Sequence, residues 1–140
     1  MKTTVTISDL KAEKEAKISE VIKNAGVFFA FSNKQFEENK TPLLEGEKYV
    51  SIGAGGYAPK SKVDLFINGC ESVNKWYKAQ IKQTKQLRYD NIAYELNNHE
   101  AFYTCDIADT LQALGSGYTY AEVLKVYKAE KAKPATQRVA

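Results

Sequence analysis

The sequence predicts an α+β fold: a mostly helical single domain with a small two- or three-stranded sheet from the N-terminal half and a long central helix. Two observations carry this. Short β-branched or aromatic runs cluster in the first half, while apolar residues in the second half recur with the 3.6-residue helical period. Strand-like material followed by helices is the order of α+β rather than doubly wound α/β proteins. A chain of 140 residues has the size of one domain and can bury a core without disulfides or metals.

The elements follow in order. Thr3 to Ile7 (TTVTI) reads as a short edge strand. Ser8 or Asp9 can cap a helix running to about Ala25, where Gly26 stops it. Val27 to Phe31 (VFFAF), bounded by Gly26 and Ser32, is short and aromatic enough for a buried strand. Asn33 to Asn39 makes a helical turn or two with Phe36 inward. Glu47 to Ile52 (EKYVSI) alternates as a second strand, and Gly53 to Lys60 (GAGGYAPK) reads as a loop.

Ser61, with Asp64 three residues on, opens the longest helix in an acidic variant of the capping box. Its apolar face holds Val63, Phe66, Ile67, Cys70, Tyr77 and Ile81, and it runs to about Thr84. Further helices are expected at Leu87 to Asn97, at Asp106 to Leu114 with Asp106 as cap, and from Thr119–Glu122 to about Lys131. The domain is read as residues 1–133, and 134–140 as a flexible tail beyond Pro134.

Composition narrows the function. No segment resembles a secretory signal, and no apolar run approaches the ~20 residues that span a bilayer, so a cytoplasmic location without membrane partners is expected. Cys70, His99 and Cys105 have no metal-ligand spacing, so neither metal nor cofactor is expected. The net charge of +3 hides blocks: residues 60–88 carry 7 basic and 2 acidic side chains, and residues 89–124 carry 6 acidic and no Lys or Arg. Such blocks either neutralise one another or steer a charged partner.

The order strand, GAGG, Lys60-Ser61, helix imitates a phosphate-binding loop. Pro59 stands where that motif needs Gly, and its glycine spacing is missing. The glycines then serve a tight turn, although Lys60 and Lys62 beside a helix start could hold one anionic group. Lys75, Lys78, Lys82 and Lys85 are spaced 3, 4 and 3 apart. On one helix they form a stripe roughly 100° from the apolar face. The stripe is either a solvated face or a contact for a nucleic-acid backbone or acidic protein patch. With Arg88, and with Tyr57 held on the Gly-rich segment, these residues are the candidate contact set. A catalytic reading has only Asn97-Asn98-His99-Glu100 followed by Tyr103, Cys105 and Asp106 to draw on. No signature surrounds Cys105 or His99, and helix capping by the Asn, His and Asp accounts for that cluster better, so no catalytic residue is assigned.

The strings FFAFSNKQFEE, KYVSIGAGGYAPKSKVDLFING and AYELNNHEAFYTCDIADTLQALG resemble small uncharacterised proteins carried by bacterial phages and mobile elements, over most of residues 27–127. What the resemblance implies is a non-enzymatic, anti-CRISPR-like counter-defence inhibitor. Its partner would be an RNA-guided nuclease effector of the host, type VI first, or its guide RNA. The alternative is a nucleic-acid-binding accessory protein that contacts phosphates through the lysine stripe. In the effector reading, the acidic 89–124 segment is a second candidate surface, as a partial nucleic-acid mimic.

Overall fold

A computed structural model describes residues 5–138 of the chain. Its elements are α1 (Ile7–Asn24), β1 (Phe28–Phe29), α2 (Asn33–Asn39), β2 (Tyr49–Gly53), β3 (Gly56–Pro59), α3 (Val63–Ile81), α4 (Lys85–Asn98), α5 (Ala101–Thr104), α6 (Ala108–Leu114) and α7 (Tyr120–Lys131). Single 3-10 turns precede α3 at Lys60–Lys62 and follow α7 at Ala135–Gln137. The fold is α+β and mostly helical, with one three-stranded antiparallel sheet and a long central helix, as the sequence predicts. The residues gather into two compact units, one of residues 11–78 and one of the described parts of 1–10 and 79–140; the divisions fall inside α1 and α3.

The expected strand at Thr3 to Ile7 lies partly outside the described residues, and its described part is not a strand. Thr6 hydroxyl accepts from Asp9 N–H at 3.1 Å, and Asp9 accepts from Thr6 N–H at 3.1 Å. This reciprocal capping box starts α1 at Ile7, ahead of the caps expected at Ser8 or Asp9. At the other end Gly26 has φ +64°, Val27 N–H reaches Ile22 O at 3.0 Å, and Gly26 N–H reaches Lys23 O. That is a Schellman stop, and glycine takes its left-handed position without a Cβ penalty.

In the 11–78 unit the sheet order is β1-β3-β2. β3 corrects the expected Gly53–Lys60 loop. Ala54 and Gly55 both have positive φ (51° and 78°), the signature of a two-residue type I′ hairpin, so Gly56–Pro59 turns back as a strand against β2. Phe28 pairs with Tyr57, and Ser51 also pairs with Tyr57, so these side chains share one face. Ser32 caps α2 by accepting from Gln35 N–H, and α2 delivers Phe36 to that face. There Phe28, Phe36, Tyr49 and Tyr57 form an aromatic cluster with centroids 5.1–5.7 Å apart, mostly edge to face. The opposite face buries Val27 and Ala58 with Ala25, against Ile22, Val63 and Phe66. Gly69 allows α1 and α3 to approach closely, because a Cβ there would meet a Val21 methyl at 2.7 Å.

In the other unit α4 is central, contacted by α5, α6 and α7. Ile92, Ala93 and Leu96 of α4 bury with Ala101, Ile107, Leu114, Val123, Val126 and Tyr127. Phe102 stacks on Tyr127 at 5.5 Å and 8°. Thr119 caps α7 by accepting from Glu122 N–H at 3.2 Å, as expected, but Glu122 does not complete the box; its carboxylate serves Arg88. Asp106 accepts from Ala108 N–H, and α6 begins at Ala108, two residues later than expected. From 134, where the sequence reads a tail, a 3-10 turn leads to Arg138, whose Nε donates to Glu130 O at 3.0 Å. Glu130 is fully buried; Tyr89 hydroxyl donates to it at 2.7 Å, and Lys133 Nζ lies 2.5 Å away.

Candidate functional site

The basic block is placed by three local events. First, the start of α3 differs from the expected Ser61–Asp64 box. Ser61 N–H and hydroxyl both donate to the Glu47 carboxylate, from the segment leading into β2. These bonds hold the Glu47 carboxyl below its ordinary range. Lys60 and Lys62 stand on the 3-10 turn so anchored, both exposed.

Second, α3 ends at Ile81 rather than near Thr84. Thr84 takes extended backbone and accepts from Leu87 N–H at 3.0 Å, so it caps a new helix, α4, from Lys85. The four-lysine stripe on one helix is therefore corrected. Lys75 and Lys78 lie on α3, Lys82 lies in the connection, and Lys85 is the first residue of α4. Lys75 and Lys78 belong to one unit, Lys82 and Lys85 to the other. All four, with Lys60 and Lys62, are exposed, and among the described residues none forms a close ion pair, although the Lys62 charge helps to lower the Glu47 carboxyl.

Third, Arg88 is withdrawn from the contact set. Its guanidinium makes charge-assisted bonds to both Glu122 oxygens (2.7–3.1 Å) and one to Gly117 O (2.6 Å), and it sits 4.1 Å from the Tyr118 ring centroid. The Glu122 bonds raise its pKa further, and the group is half-buried. Tyr57 is likewise corrected: it lies on β3 inside the aromatic cluster, not on a presenting loop.

α3 also leaves Leu65 and Ile67 52% and 45% exposed, on different sides of the helix. Ile67, expected on the apolar face, is thus left exposed. Trp76 and Tyr77 are used in packing: Lys17 Nζ lies 4.8 Å from the Trp76 ring centre, and Lys11 and Lys14 lie 4.9 and 4.5 Å from that of Tyr77.

The acidic segment is divided. Glu122 and Asp90 are engaged by Arg88 and Gln86, and Glu95 lies 3.3 Å from His99. Glu100, Asp106 and Asp109 are exposed. His99 caps the C-terminus of α4, and Cys105 that of α5. Burial pushes the Cys70 thiol up. Among the described residues no group of three or more His, Cys, Asp or Glu could hold a metal ion. No described helix is long and apolar enough to cross a membrane.

A recess that sequence reasoning did not assemble lies at the α4–α5 corner. Asn97, Glu100, Phe102, Tyr103 and Arg138 line a volume of about 360 Å³. The first four lie in or beside the polar cluster already visible in the sequence. Arg138 joins them because it folds back onto Phe102, with its guanidinium 4.6 Å from the ring centre. No signal local to residues 134–140 announces that return.

No curated protein and no solved structure matches the chain. Residues 10–138 match a family of unknown function, and that span includes most of every described helix, the sheet and the recess. The chain therefore belongs to the Family of unknown function (DUF7659).

Proposed function

We propose that this is a non-enzymatic binding protein whose basic surface at the start and outer side of α3 engages an anionic macromolecule. One observation carries the reading: Lys60, Lys62, Lys75 and Lys78 of the 11–78 unit are exposed and form no close ion pair among the described residues, Lys62 alone acting on a carboxylate, that of Glu47. Like charges set along one segment repel, and the arrangement becomes favourable when phosphates face it and counterions are released. Exposed Leu65 and Ile67 on the same helix suit a protein surface beside that nucleic acid. An RNA-bearing effector unites both features. In the counter-defence setting implied by the resemblance, the partner is an RNA-guided nuclease, type VI first, met in the host cytoplasm.

The test uses two double variants, Lys75→Glu/Lys78→Glu and Lys82→Glu/Lys85→Glu, so that each compact unit is probed separately. Exposed substitutions of this kind usually shift stability by about 0.5 kcal/mol each or less, so both proteins should fold. Binding to the effector–guide complex, and inhibition of its RNA cleavage, should fall at least about tenfold for the α3 pair, with a shallower salt dependence. Gel shifts with free single- and double-stranded RNA and DNA separate the alternative, a nucleic-acid-binding accessory protein. A folded α3 variant that binds every partner as tightly as wild type removes this surface from the account.

A further inference from the structure

We propose that the recess at the α4–α5 corner is a binding site for a guanine nucleotide, either free or as an unstacked base in a single strand. The site uses none of the lysines of α3 and does not depend on their role.

The recess has the volume of a small-molecule site: about 360 Å³, within the range of about 300–1,000 Å³ common for such clefts. It is built from groups that suit a planar ring with an anionic tail. Tyr103 is 88% exposed, a flat ring left to solvent on a four-residue helix, and rings so presented stack on bases. Arg138 is a held cation. Its Nε and Nη2 donate to Glu130 O and Lys131 O at 3.0 and 3.3 Å, and its plane is supported by Phe102. Nη1 has no partner among the described residues and is available for a phosphate oxygen.

Glu100 decides the base. A carboxylate only accepts hydrogen bonds, so the ring edge facing it must donate. Guanine alone among the common bases presents two adjacent donors, N1–H and N2–H, on its Watson–Crick edge. Adenine and cytosine present an amino group next to an acceptor, and uracil presents a single N–H. Glu100 and Arg138 line the same recess without pairing to each other, which leaves both charges available.

The local backbone sets the position of Glu100. Glu100 has φ +55° and ψ +30°, and Cys105, at the other end of α5, has φ +61°. Both are left-handed positions at which a helix stops: Glu100 N–H reaches Asn97 O at 3.1 Å beyond α4, and Cys105 N–H reaches Ala101 O at 2.9 Å at the end of α5. Glycine takes such a position without a Cβ penalty, so Glu100→Gly keeps the stop while removing only the carboxylate.

The experiment titrates the full-length chain with GMP, AMP, CMP and UMP, and with the pentaribonucleotides UUGUU and UUUUU, followed by amide chemical shifts. GMP should perturb Asn97, Glu100, Tyr103 and Arg138 and bind at least about tenfold more tightly than the other nucleotides. Glu100→Gln should erase that preference. Glu100→Gly should raise the thermal midpoint by relieving the backbone and still lose GMP binding, a combination a purely structural Glu100 would not produce. Tighter binding of UUGUU than of UUUUU supports a strand-borne base, and preference for GMP over both supports a free nucleotide. Equal binding of all four nucleotides, no binding of any, or unchanged GMP affinity in folded Glu100→Gln overturns the proposal.

Discussion

Tyr89→Phe removes one oxygen atom and tests the most buried charge described in the protein. Tyr89 hydroxyl donates to Glu130 Oε2 at 2.7 Å, and Glu130 has no solvent exposure. Phenylalanine keeps the ring and its packing, so the change isolates the hydrogen bond. A bond to a charged group is worth about 1.5–3 kcal/mol, because the buried carboxylate cannot replace the lost donor with water. Lys133, 2.5 Å from Glu130, still neutralises the charge, which places the expected loss near the middle of that range, about 2 kcal/mol. With a urea slope of about 2 kcal/mol/M, the midpoint followed by circular dichroism should fall by about 1 M. The pH dependence adds a second reading. Burial, and then the Glu130 carboxylate, push the Tyr89 hydroxyl up from 10.0 to about 12. The folded state thus holds this proton more tightly than the unfolded state. The corresponding stability is complete below pH 10 and is lost as pH rises through about 12, so the wild-type advantage over Tyr89→Phe should shrink across that window. A midpoint changed by less than about 0.25 M, or a gap between the two proteins that widens in alkali, would refute the account of Glu130 as a carboxylate held by Tyr89.

Two further substitutions test the packing of the 11–78 unit. Ala54→Asn places a residue tolerant of left-handed backbone at φ 51° and creates the Asn-Gly pair that type I′ hairpins favour; it should stabilise by about 0.5–1 kcal/mol, seen as a thermal midpoint higher by a few degrees. An unchanged or lowered midpoint would count against the hairpin. Gly69→Ala gains helix propensity of about 1 kcal/mol but sets a Cβ 2.7 Å from a methyl of Val21, whose branched side chain cannot turn away freely. Overpacking of about 1–3 kcal/mol should win, giving a net loss in urea denaturation; a stabilised variant would show that α1 and α3 are not held at this distance.

Much of the fold was legible because it is local. The stop at Gly26, the α2 boundaries at Asn33 and Asn39, and the Thr119 cap of α7 depend on contacts within a few residues. Part of the polar cluster around Glu100 and Tyr103 was also visible as a concentration of side chains; His99 stands at the C-cap of α4, but Ile107 rather than Asp106 is the N-cap of α6. The candidate site was read less well. Spacing placed four lysines on one helix, but it could not reveal that Thr84 would turn away from the first helix to cap the second.

The amino-acid sequence by itself determined the class of the fold, most helix positions, the charge blocks and the exposure of the lysines. Each follows from periodicity, capping within one turn, or the cost of burying an ammonium group. Only the tertiary structure decided which polar groups were already taken. Ser61 is claimed by Glu47 from 14 residues away, Arg88 by Glu122 from 34, and Tyr89 by Glu130 from 41. It also made Gly56–Pro59 a strand, drew Tyr57 into the aromatic cluster, and brought Arg138 onto Phe102. The physical reason is common to all of these. A hydrogen bond or ring contact between distant residues is favourable only after the chain has closed the loop between them, and that cost is met by burial elsewhere, which no local pattern records.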